Sequence, residues 1–268
     1  MIKPMLCAAA LATCPIALFA DMHTDLPVKA ELMDGWQQAD GTRIGAIRLT
    51  LADGWKTYWR APGDAGIPPS FAWKGSRNLS GVAVSWPTPM VFGQNGMRSV
   101  GYANQVTLPL SVAAESLNKP VKINLEMEIG VCKDICVPQT LKIKGVLDST
   151  DTRPVPAIAA ALAERPYSAR EAGAQATTCN LTPSDDGLTI TATLRLPSTG
   201  GSEHVVIEAG RTDVWVSEAT AQRRGNTLTA KAEMVASGSG ALALDRSAIR
   251  FTVLGTSHAV DLRGCSPD

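Results

Sequence analysis

Apolar and polar residues alternate with a period of two along much of the first half of the chain, as they do in β-strands. The alternation is clear in segments 28–36 (VKAELMDGW) and 42–55 (TRIGAIRLTLADGW), each of which reaches an Asp-Gly pair near its end, a dipeptide typical of turns. Segment 60–69 (RAPGDAGIPP) holds three prolines and two glycines and is predicted to be a loop. Further strands are predicted at 81–86, 105–112, 121–129 and 140–147.

The second half returns to this strand pattern after a change in composition. Residues 149–175 are rich in Ala and Pro, and one short helix is predicted at 157–164. Strands are then predicted at 188–196, 204–209, 214–217, 227–232, 241–244, 249–254 and 258–262. We therefore predict an all-β fold of two β-sandwich, immunoglobulin-like domains at 21–149 and 177–268, joined by a short, partly helical Ala/Pro-rich linker at 150–176.

The amino-acid composition agrees with two domains and argues against a nucleic-acid partner. The chain has 268 residues, 45% of them hydrophobic, which is enough for two cores at roughly 100–150 residues each. Lys plus Arg equals Asp plus Glu at 25 each, and no basic run stands out. Without a basic surface the chain lacks the electrostatic attraction that nucleic-acid binding requires, so no nucleic-acid partner is expected.

The first twenty residues, MIKPMLCAAALATCPIALFA, have the layout of a secretory signal peptide, with an early Lys, an apolar stretch and small residues before Asp21. We predict a signal peptide at 1–20, cleavage near Ala20 and a periplasmic protein. A membrane anchor is an alternative, but an apolar stretch of about 16 residues interrupted by Pro15 is short of the roughly 20 that a spanning helix needs. A second alternative is lipid attachment at Cys14, because residues 11–14 (LATC) loosely resemble a lipobox. No stable membrane insertion is expected of the mature protein.

Cleavage would also remove Cys7 and Cys14. Four cysteines would then remain: Cys132, Cys136, Cys179 and Cys265. An even number of cysteines in an oxidising compartment predicts disulfides, and four cysteines allow three pairings.

Cys132 and Cys136 are separated by only three residues, in IGVCKDICVPQT. In one continuous strand they would lie roughly 13 Å apart, too far for a disulfide. In a helix they would share a face, but Pro138 and the β-branched surroundings argue against a helix. A tight hairpin would place them opposite each other, and only that form gives a ready disulfide.

The chemistry of such a pair stays open at this point. A small ring constrains the unfolded chain little, so it stabilises the fold less than a long-range bridge would. Small rings can also be strained and easily reduced, which suits thiol exchange. Lys133 would favour a thiolate and Asp134 would oppose one. Redox activity, a structural disulfide and metal binding are the three hypotheses.

Cys179 and Cys265 lie near the beginning and the end of the second predicted domain. A bridge between them would close a loop of about 85 residues, worth about 4 to 5 kcal/mol in the chain-entropy model. We predict a structural disulfide here. A second redox pair, or crossed pairing with Cys132 or Cys136, is the alternative.

Metal binding has less support from the sequence. Zinc takes four ligands, and the histidines show no metal-binding spacing and none is near the cysteine pair: His23, His204 and His258. Copper(I) would accept two thiolates and a thioether, for which the same domain offers Met90, Met97 and Met127. Core or loop packing is the simpler interpretation of each methionine.

The stretch 53–147 resembles a known family, the N-terminal periplasmic domain of the DsbD thiol:disulfide interchange proteins, and more closely the version in ScsB-type (suppressor of copper sensitivity) proteins. The resemblance is carried by DGWKTYWRAPGDAGIPP, SWPTP, VFGQNG, GYANQVTLPL and GVCKDICVPQT, which stand in the family's order. The second domain resembles, more weakly, the extra domain of ScsB-type N-terminal regions.

The resemblance implies an immunoglobulin-like fold in which Cys132 and Cys136 are the catalytic pair. It implies a membrane-embedded thiol reductant as donor and periplasmic acceptors such as thioredoxin-like proteins, with no cofactor. It also implies a cap loop at Met90, Val91, Phe92 and Gly93, in which Phe92 shields the disulfide. Core packing is the alternative role for Phe92.

Two departures from the family limit this inference. DsbD proper separates its cysteines by five residues and has acidic cap-loop residues, whereas this chain has a spacing of three and Thr88-Pro89-Met90. The acid-assisted details are therefore not carried over, and the shorter spacing fits the ScsB type. The sequence also ends at Asp268 without an electron conduit or thioredoxin-like domain, so a separately encoded donor is expected.

The sequence thus predicts a periplasmic thiol:disulfide interchange protein. Its mechanism would be thiolate attack on a disulfide, a mixed disulfide, and resolution by the second cysteine. Either cysteine could be the attacking one. The alternatives are a periplasmic copper-binding or copper-tolerance protein, and an interaction module whose disulfide is inert.

Overall fold

The computed structural model describes residues 26–64, 66–94, 97–238 and 242–268. The predicted signal peptide at 1–20, with Cys7 and Cys14, lies outside the described residues, as does His23. The described part of the chain is nearly all β, with one short helix. The prediction of an all-β fold is confirmed.

Ten strands make up the first sandwich: β1 (Val28–Gln37), β2 (Arg43–Leu51), β3 (Lys56–Tyr58), β4 (Ser70–Ala72), β5 (Leu79–Val84), β6 (Met90–Gln94), β7 (Met97–Ala103), β8 (Gln105–Ala114), β9 (Val121–Cys132) and β10 (Cys136–Leu147). One sheet has the order β1-β2-β8-β5. The other has the order β10-β9-β3-β7-β6, with β4 pairing to β9. The long β9–β10 hairpin therefore ends beside the short strand β3.

The alternation seen in the sequence explains how β9 packs. Its odd-numbered residues, from Val121 to Val131, are buried in the core between the two sheets, whereas Lys122, Glu126 and Glu128 are exposed. This is the pattern of a strand with one face in the core and one toward solvent. Near its C-terminal end the strand is buried on both faces, up to Cys132, because β3 and the loop after it cover that end.

The second sandwich follows the helix α1 (Pro156–Ala163). Its strands are β11 (Tyr167–Ser168), β12 (Thr177–Pro183), β13 (Leu188–Arg195), β14 (His204–Glu208), β15 (Val214–Val216), β16 (Thr220–Arg224), β17 (Thr227–Ala236), β18 (Arg250–Leu254) and β19 (Ala259–Arg263). One sheet has the order β11-β19-β18-β14 and the other β12-β13-β17-β15, with β16 also pairing to β17.

The segment predicted to be a linker is packed at both ends. In α1, Ile158 is fully buried in a cluster with Trp36, Ile44 and Ala46 of the first sandwich. Further on, Tyr167–Ser168 pairs in parallel with β19 of the second sandwich. The linker is thus ordered by contacts with both sandwiches.

Several predicted elements differ from the structure. A strand was predicted at 241–244, but residues 242–244 form none, and residue 241 lies outside the described residues. Six strands of the described residues were not predicted: β3, β4, β7, β11, β12 and β16. The predicted cap loop at Met90–Gly93 is a strand, since β6 forms an antiparallel hairpin with β7. An Asn-Gly pair follows β6 in the sequence and is a strong hairpin signal that the prediction left unused.

The two sandwiches share apolar contacts. Val206, Leu254 and Ala259 of the second sandwich pack into the core cluster of the first. Within the described ranges, no helix combines the length and the apolar character that crossing a bilayer requires.

Candidate functional site

The cysteine pair lies at the tip of the β9–β10 hairpin. Cys132 ends β9, Cys136 begins β10, and the two are directly opposite in the antiparallel register. Their Cα atoms are 4.1 Å apart and their sulfurs form a disulfide. Of the three conformations considered for this spacing, the chain adopts the hairpin. The intervening residues, Lys133, Asp134 and Ile135, are exposed.

The two cysteines differ in access to solvent. Cys132 is 2% exposed, because it lies on an inner strand between β10 and β3. Cys136 begins the edge strand of the sheet and is partly exposed. An external thiol therefore reaches the sulfur of Cys136 more readily than that of Cys132.

Tyr58 contacts the disulfide from strand β3. Its hydroxyl lies 3.1 Å from Sγ of Cys136, within hydrogen-bonding distance for a sulfur partner. The position of Tyr58 follows from strand pairing, since Lys56 is opposite Cys132 and Thr57 is opposite Val131. The Thr57 hydroxyl also donates to the carbonyl of Gly130 at 2.8 Å.

Glycine at position 130 makes room for the Tyr58 ring. A Cβ atom at Gly130 would lie 2.8 Å from Cδ2 of Tyr58 and 2.9 Å from Cβ of Ile67. Because Tyr58 is itself only 1% exposed and surrounded by core residues, it has no free space to move into. A side chain at 130 would therefore displace Tyr58 from Cys136.

Strands β6 and β7 form a second hairpin beside the site, here called the cap hairpin. Its Phe92 ring stacks on the Tyr58 ring with centroids 6.4 Å apart and an interplanar angle of 26°. The Lys56 Nζ lies 4.8 Å from the centroid of the same Phe92 ring, a cation–π geometry. Phe92, Tyr58 and Cys136 thus form a continuous series of contacts.

The other predicted cap residues point outward. Met90 is 49% exposed and Val91 37%, and Gly93 is also exposed, whereas Phe92 is partly buried. Of the four residues predicted for the cap, Phe92 is the one that the structure brings to the disulfide through Tyr58.

Tyr102 fixes the base of the cap hairpin. Its hydroxyl donates to the carbonyl of Pro87 at 2.8 Å, which joins β7 to the segment that leads into β6. Burial raises the pKa of Tyr102 far above its usual value, so the phenol keeps its proton and remains a donor. On the side facing the core, the base of the hairpin is therefore joined by a buried hydrogen bond.

The second disulfide has a different environment. Cys179 in β12 is joined to Cys265, 86 positions later in the chain, and Cys179 is fully buried in the core of the second sandwich. The Arg246 guanidinium donates to the Cys179 carbonyl at 2.6 Å, and its Nη1 lies 3.0 Å from Sγ. An external thiol has no direct path to the Cys179 sulfur, whereas Cys265 is partly exposed, as Cys136 is.

The residues considered as metal ligands are dispersed. The described residues contain no group of three or more His, Cys, Asp or Glu side chains that could hold a metal ion. Met127 is buried in the first core, while Met90 and Met97 lie half-exposed on the cap hairpin. His204 is beside Glu218, with its pKa lowered by burial, and His258 stacks on Tyr167.

Lys56 and Tyr58 were not singled out in the sequence. Both belong to a three-residue strand after an Asp-Gly turn, and nothing local indicates that this strand pairs with β9 rather than with β2. The only available signal was strand geometry, since residues two apart in a strand face the same side, which places Lys56 and Tyr58 together.

The fold and the site define a class of protein: two β-sandwiches, the first of which carries a short-ring disulfide at a hairpin tip, in contact with a tyrosine. Residues 28–147 match the family model described as thiol:disulfide interchange protein DsbD, N-terminal. The likeness of the first sandwich to this family, which the sequence predicted, is therefore confirmed.

A solved structure extends the likeness in fold to both sandwiches. The chain is similar to the N-terminal periplasmic domain of ScsB from Proteus mirabilis, with a TM-score of 0.64 and 20% sequence identity, over 90% of this chain and 93% of that chain. No curated protein matches the chain in sequence.

Proposed function

We propose that this protein is a periplasmic thiol:disulfide interchange protein that relays electrons through Cys132 and Cys136. Its donor would be a membrane-embedded thiol reductant encoded separately, and its acceptors would be periplasmic proteins, including thioredoxin-like ones. The observation that carries the proposal is the disulfide at the hairpin tip, where a partly exposed Cys136 lies beside Tyr58. The family match of the first sandwich supports the same chemistry.

We propose Cys136 as the sulfur at which exchange begins, because it is the more exposed of the two. A donor thiolate attacks Sγ of Cys136, which breaks the disulfide and releases Cys132 as a thiolate. A second donor thiolate then attacks the donor sulfur of this mixed disulfide and releases Cys136 as a thiolate. Two electrons have moved to the protein, and the donor leaves as a disulfide.

Delivery to an acceptor runs the same steps in reverse. The Cys136 thiolate attacks the acceptor disulfide and forms a mixed disulfide with it, while the other acceptor sulfur leaves as a thiolate. Cys132 then attacks Cys136, restores the internal disulfide and frees the reduced acceptor. The buried position of Cys132 suits this resolving role, because it meets no external disulfide before Cys136 does.

Tyr58 and Phe92 have distinct roles in this scheme. The Tyr58 hydroxyl, 3.1 Å from the Cys136 sulfur, donates to the thiolate, and hydrogen bonds to charged groups are stronger than those between neutral groups. Phe92 covers the Tyr58 ring and limits approach to the sulfur. The cap hairpin must therefore shift when a partner docks.

The surface around the site suits apolar partners. Ile135, at the tip between the cysteines, is 73% exposed, and Met97 on the cap hairpin is 47% exposed. Large apolar side chains exposed beside a reactive group are typical of protein contact sites. We propose that redox partners dock here, and that Cys179–Cys265 only stabilises the second sandwich.

Trapping of mixed disulfides tests this function. In cells producing Cys132→Ala, Cys136 would attack partners but no resolving cysteine would remain, so covalent complexes would accumulate. Cys136→Ala should trap far fewer, and the Cys132→Ala/Cys136→Ala double variant none. Absence of complexes with both single variants would contradict the proposal, and tight one-to-one Cu(I) binding by the reduced protein would then favour the copper-binding alternative.

A further inference from the structure

Both segments that supply aromatic side chains to the site also contact the second sandwich. Tyr58 lies two residues before Arg60, which pairs with Glu208 of the second sandwich. Phe92 lies in the cap hairpin, whose other strand carries Arg98, and Arg98 pairs with Glu218. These two ion pairs, Arg60–Glu208 and Arg98–Glu218, are called the tether pairs below.

The first tether pair is bidentate and largely buried. The Arg60 guanidinium donates to the two carboxylate oxygens of Glu208 at 3.1 and 2.9 Å, and to the Thr252 hydroxyl at 3.3 Å. It also stacks 3.7 Å from the centroid of the Trp59 ring. The Arg60 side chain is 13% exposed, and bidentate contacts of this kind fix direction as well as distance.

The second tether pair acts on the cap hairpin. Arg98 is opposite Gly93 in the β6–β7 register, one position from the pair formed by Phe92 and Ser99. Its partner Glu218 follows β15 and is 24% exposed, with His204 Nδ1 3.9 Å from the same carboxylate. The strand that places Phe92 is therefore held from the second sandwich.

Backbone hydrogen bonds connect the two tethered segments to each other. The amide of Trp59 donates to the carbonyl of Val100, and the amide of Val100 donates to the carbonyl of Pro62, each at 2.9 Å. Residues 59–62 are therefore hydrogen-bonded to strand β7. A shift of either tether pair reaches both Tyr58 and Phe92.

We propose that the second sandwich is a positioning element for the redox site. Through Glu208 and Glu218 it holds Tyr58 and the cap hairpin in the arrangement that shields Cys136, so access to the disulfide depends on contact between the sandwiches. A redox partner that separates this contact would open the site. The inference rests on the proposed function of Cys132–Cys136 and assigns the second sandwich a part in it.

The apolar contacts between the sandwiches make the inference testable. Val206, Leu254 and Ala259 pack in the first core and should remain there when a carboxylate is neutralised. Glu218→Gln alters a partly exposed pair and should leave the fold intact, so it is the main variant. Glu208→Gln leaves the buried Arg60 without its counter-charge. We expect it to have a larger effect on the site than Glu218→Gln, but also to destabilise the fold more.

The test is the rate at which excess dithiothreitol reduces Cys132–Cys136 in the full chain. We expect Glu218→Gln to raise this rate about two- to fivefold, the effect available to a partly exposed ion pair. Arg98→Gln should do the same, and combining it with Glu218→Gln should add nothing, because both remove one interaction. The charge exchange Arg98→Glu/Glu218→Arg should restore the wild-type rate.

The matched control is Asp213→Asn, which breaks an exposed ion pair with Arg211 that lies wholly within the second sandwich. It should leave the rate unchanged, and the unfolding midpoints of Glu218→Gln and the control should agree. A wild-type rate in both Glu218→Gln and Arg98→Gln would overturn this inference, even if mixed disulfides are captured. Faster reduction without any captured partner would instead overturn the proposed function and leave only the control of access to the disulfide by the second sandwich.

Discussion

Cys132–Cys136 joins residues four positions apart at an exposed hairpin tip, whereas Cys179–Cys265 joins residues 86 positions apart with Cys179 in a closed core. The first has the Tyr58 hydroxyl beside its outer sulfur, and Phe92 stacks on the Tyr58 ring. The second has an arginine that holds the adjacent carbonyl. Each disulfide joins a buried cysteine to a partly exposed one, so ring size and the groups beside the outer sulfur are what distinguish the disulfide that we propose for exchange from the one that we propose for stability.

The largest expected difference between the two disulfides is in stability. In the chain-entropy model, Cys179→Ala/Cys265→Ala should lower the free energy of unfolding of the second sandwich by about 4 to 5 kcal/mol. Cys132→Ala/Cys136→Ala should lower that of the first by about 2 kcal/mol. Urea titration, followed by amide exchange to separate the sandwiches, measures both. Equal losses of unfolding free energy in the two double variants would contradict this difference between a structural disulfide and an exchange disulfide.

Tyr58→Phe should make the reduced protein less reactive. Without the hydroxyl the Cys136 thiolate loses a hydrogen bond, and hydrogen bonds to charged groups contribute about 1.5 kcal/mol or more, so alkylation by iodoacetamide at pH 7 should slow about tenfold. The control is Tyr167→Phe, a hydroxyl deletion in the second sandwich. An unchanged alkylation rate in Tyr58→Phe would mean that the hydroxyl does not donate to the thiolate.

Phe92→Ala should increase access to the disulfide. An aromatic pair contributes about 0.5 to 1.5 kcal/mol beyond its buried area, so reduction of Cys132–Cys136 by dithiothreitol should become about fivefold faster. Phe71→Ala is the matched control, because Phe71 packs against Trp73 and Trp86 in the same sandwich away from the cysteines. If both variants change the rate alike, Phe92 is a core residue and not a shield.

Lys56→Met should give the smallest effect. Methionine retains an apolar side chain of similar length but removes the charge above the Phe92 ring, and an exposed cation–π contact contributes about 0.5 to 1 kcal/mol. The reduction rate should rise about two- to threefold. In the Phe92→Ala background the same substitution should change nothing, and a persistent effect there would assign Lys56 a direct influence on the sulfurs instead.

Much of the fold was predictable because core-facing residues alternate within long strands. Strands β8, β9 and β10 were predicted from local pattern, and the hairpin at Cys132 and Cys136 was the one conformation that allowed a disulfide. Strand β3 was not predicted, since a three-residue strand takes its partners from the tertiary fold. The β6–β7 hairpin was missed although the Asn-Gly pair after β6 is a local signal for one.

The residues around the disulfide likewise divide into those that the sequence indicated and those that it did not. The cysteines and Phe92 were identified from spacing and from the family resemblance, while Lys56 and Tyr58 were missed. Their proximity to the cysteines depends on β3 pairing with β9, which joins residues more than seventy positions apart. The tether pairs depend on contacts between the sandwiches and have no local pattern at all.

The most direct test of the account is selective reduction of the native, full-length protein. The protein would be equilibrated with dithiothreitol, its free thiols labelled, and the labelled peptides identified by mass spectrometry. The account predicts that Cys132 and Cys136 are labelled together while Cys179 and Cys265 remain unlabelled until the second sandwich unfolds. Labelling of all four cysteines at once, or of Cys179 and Cys265 first, would contradict it.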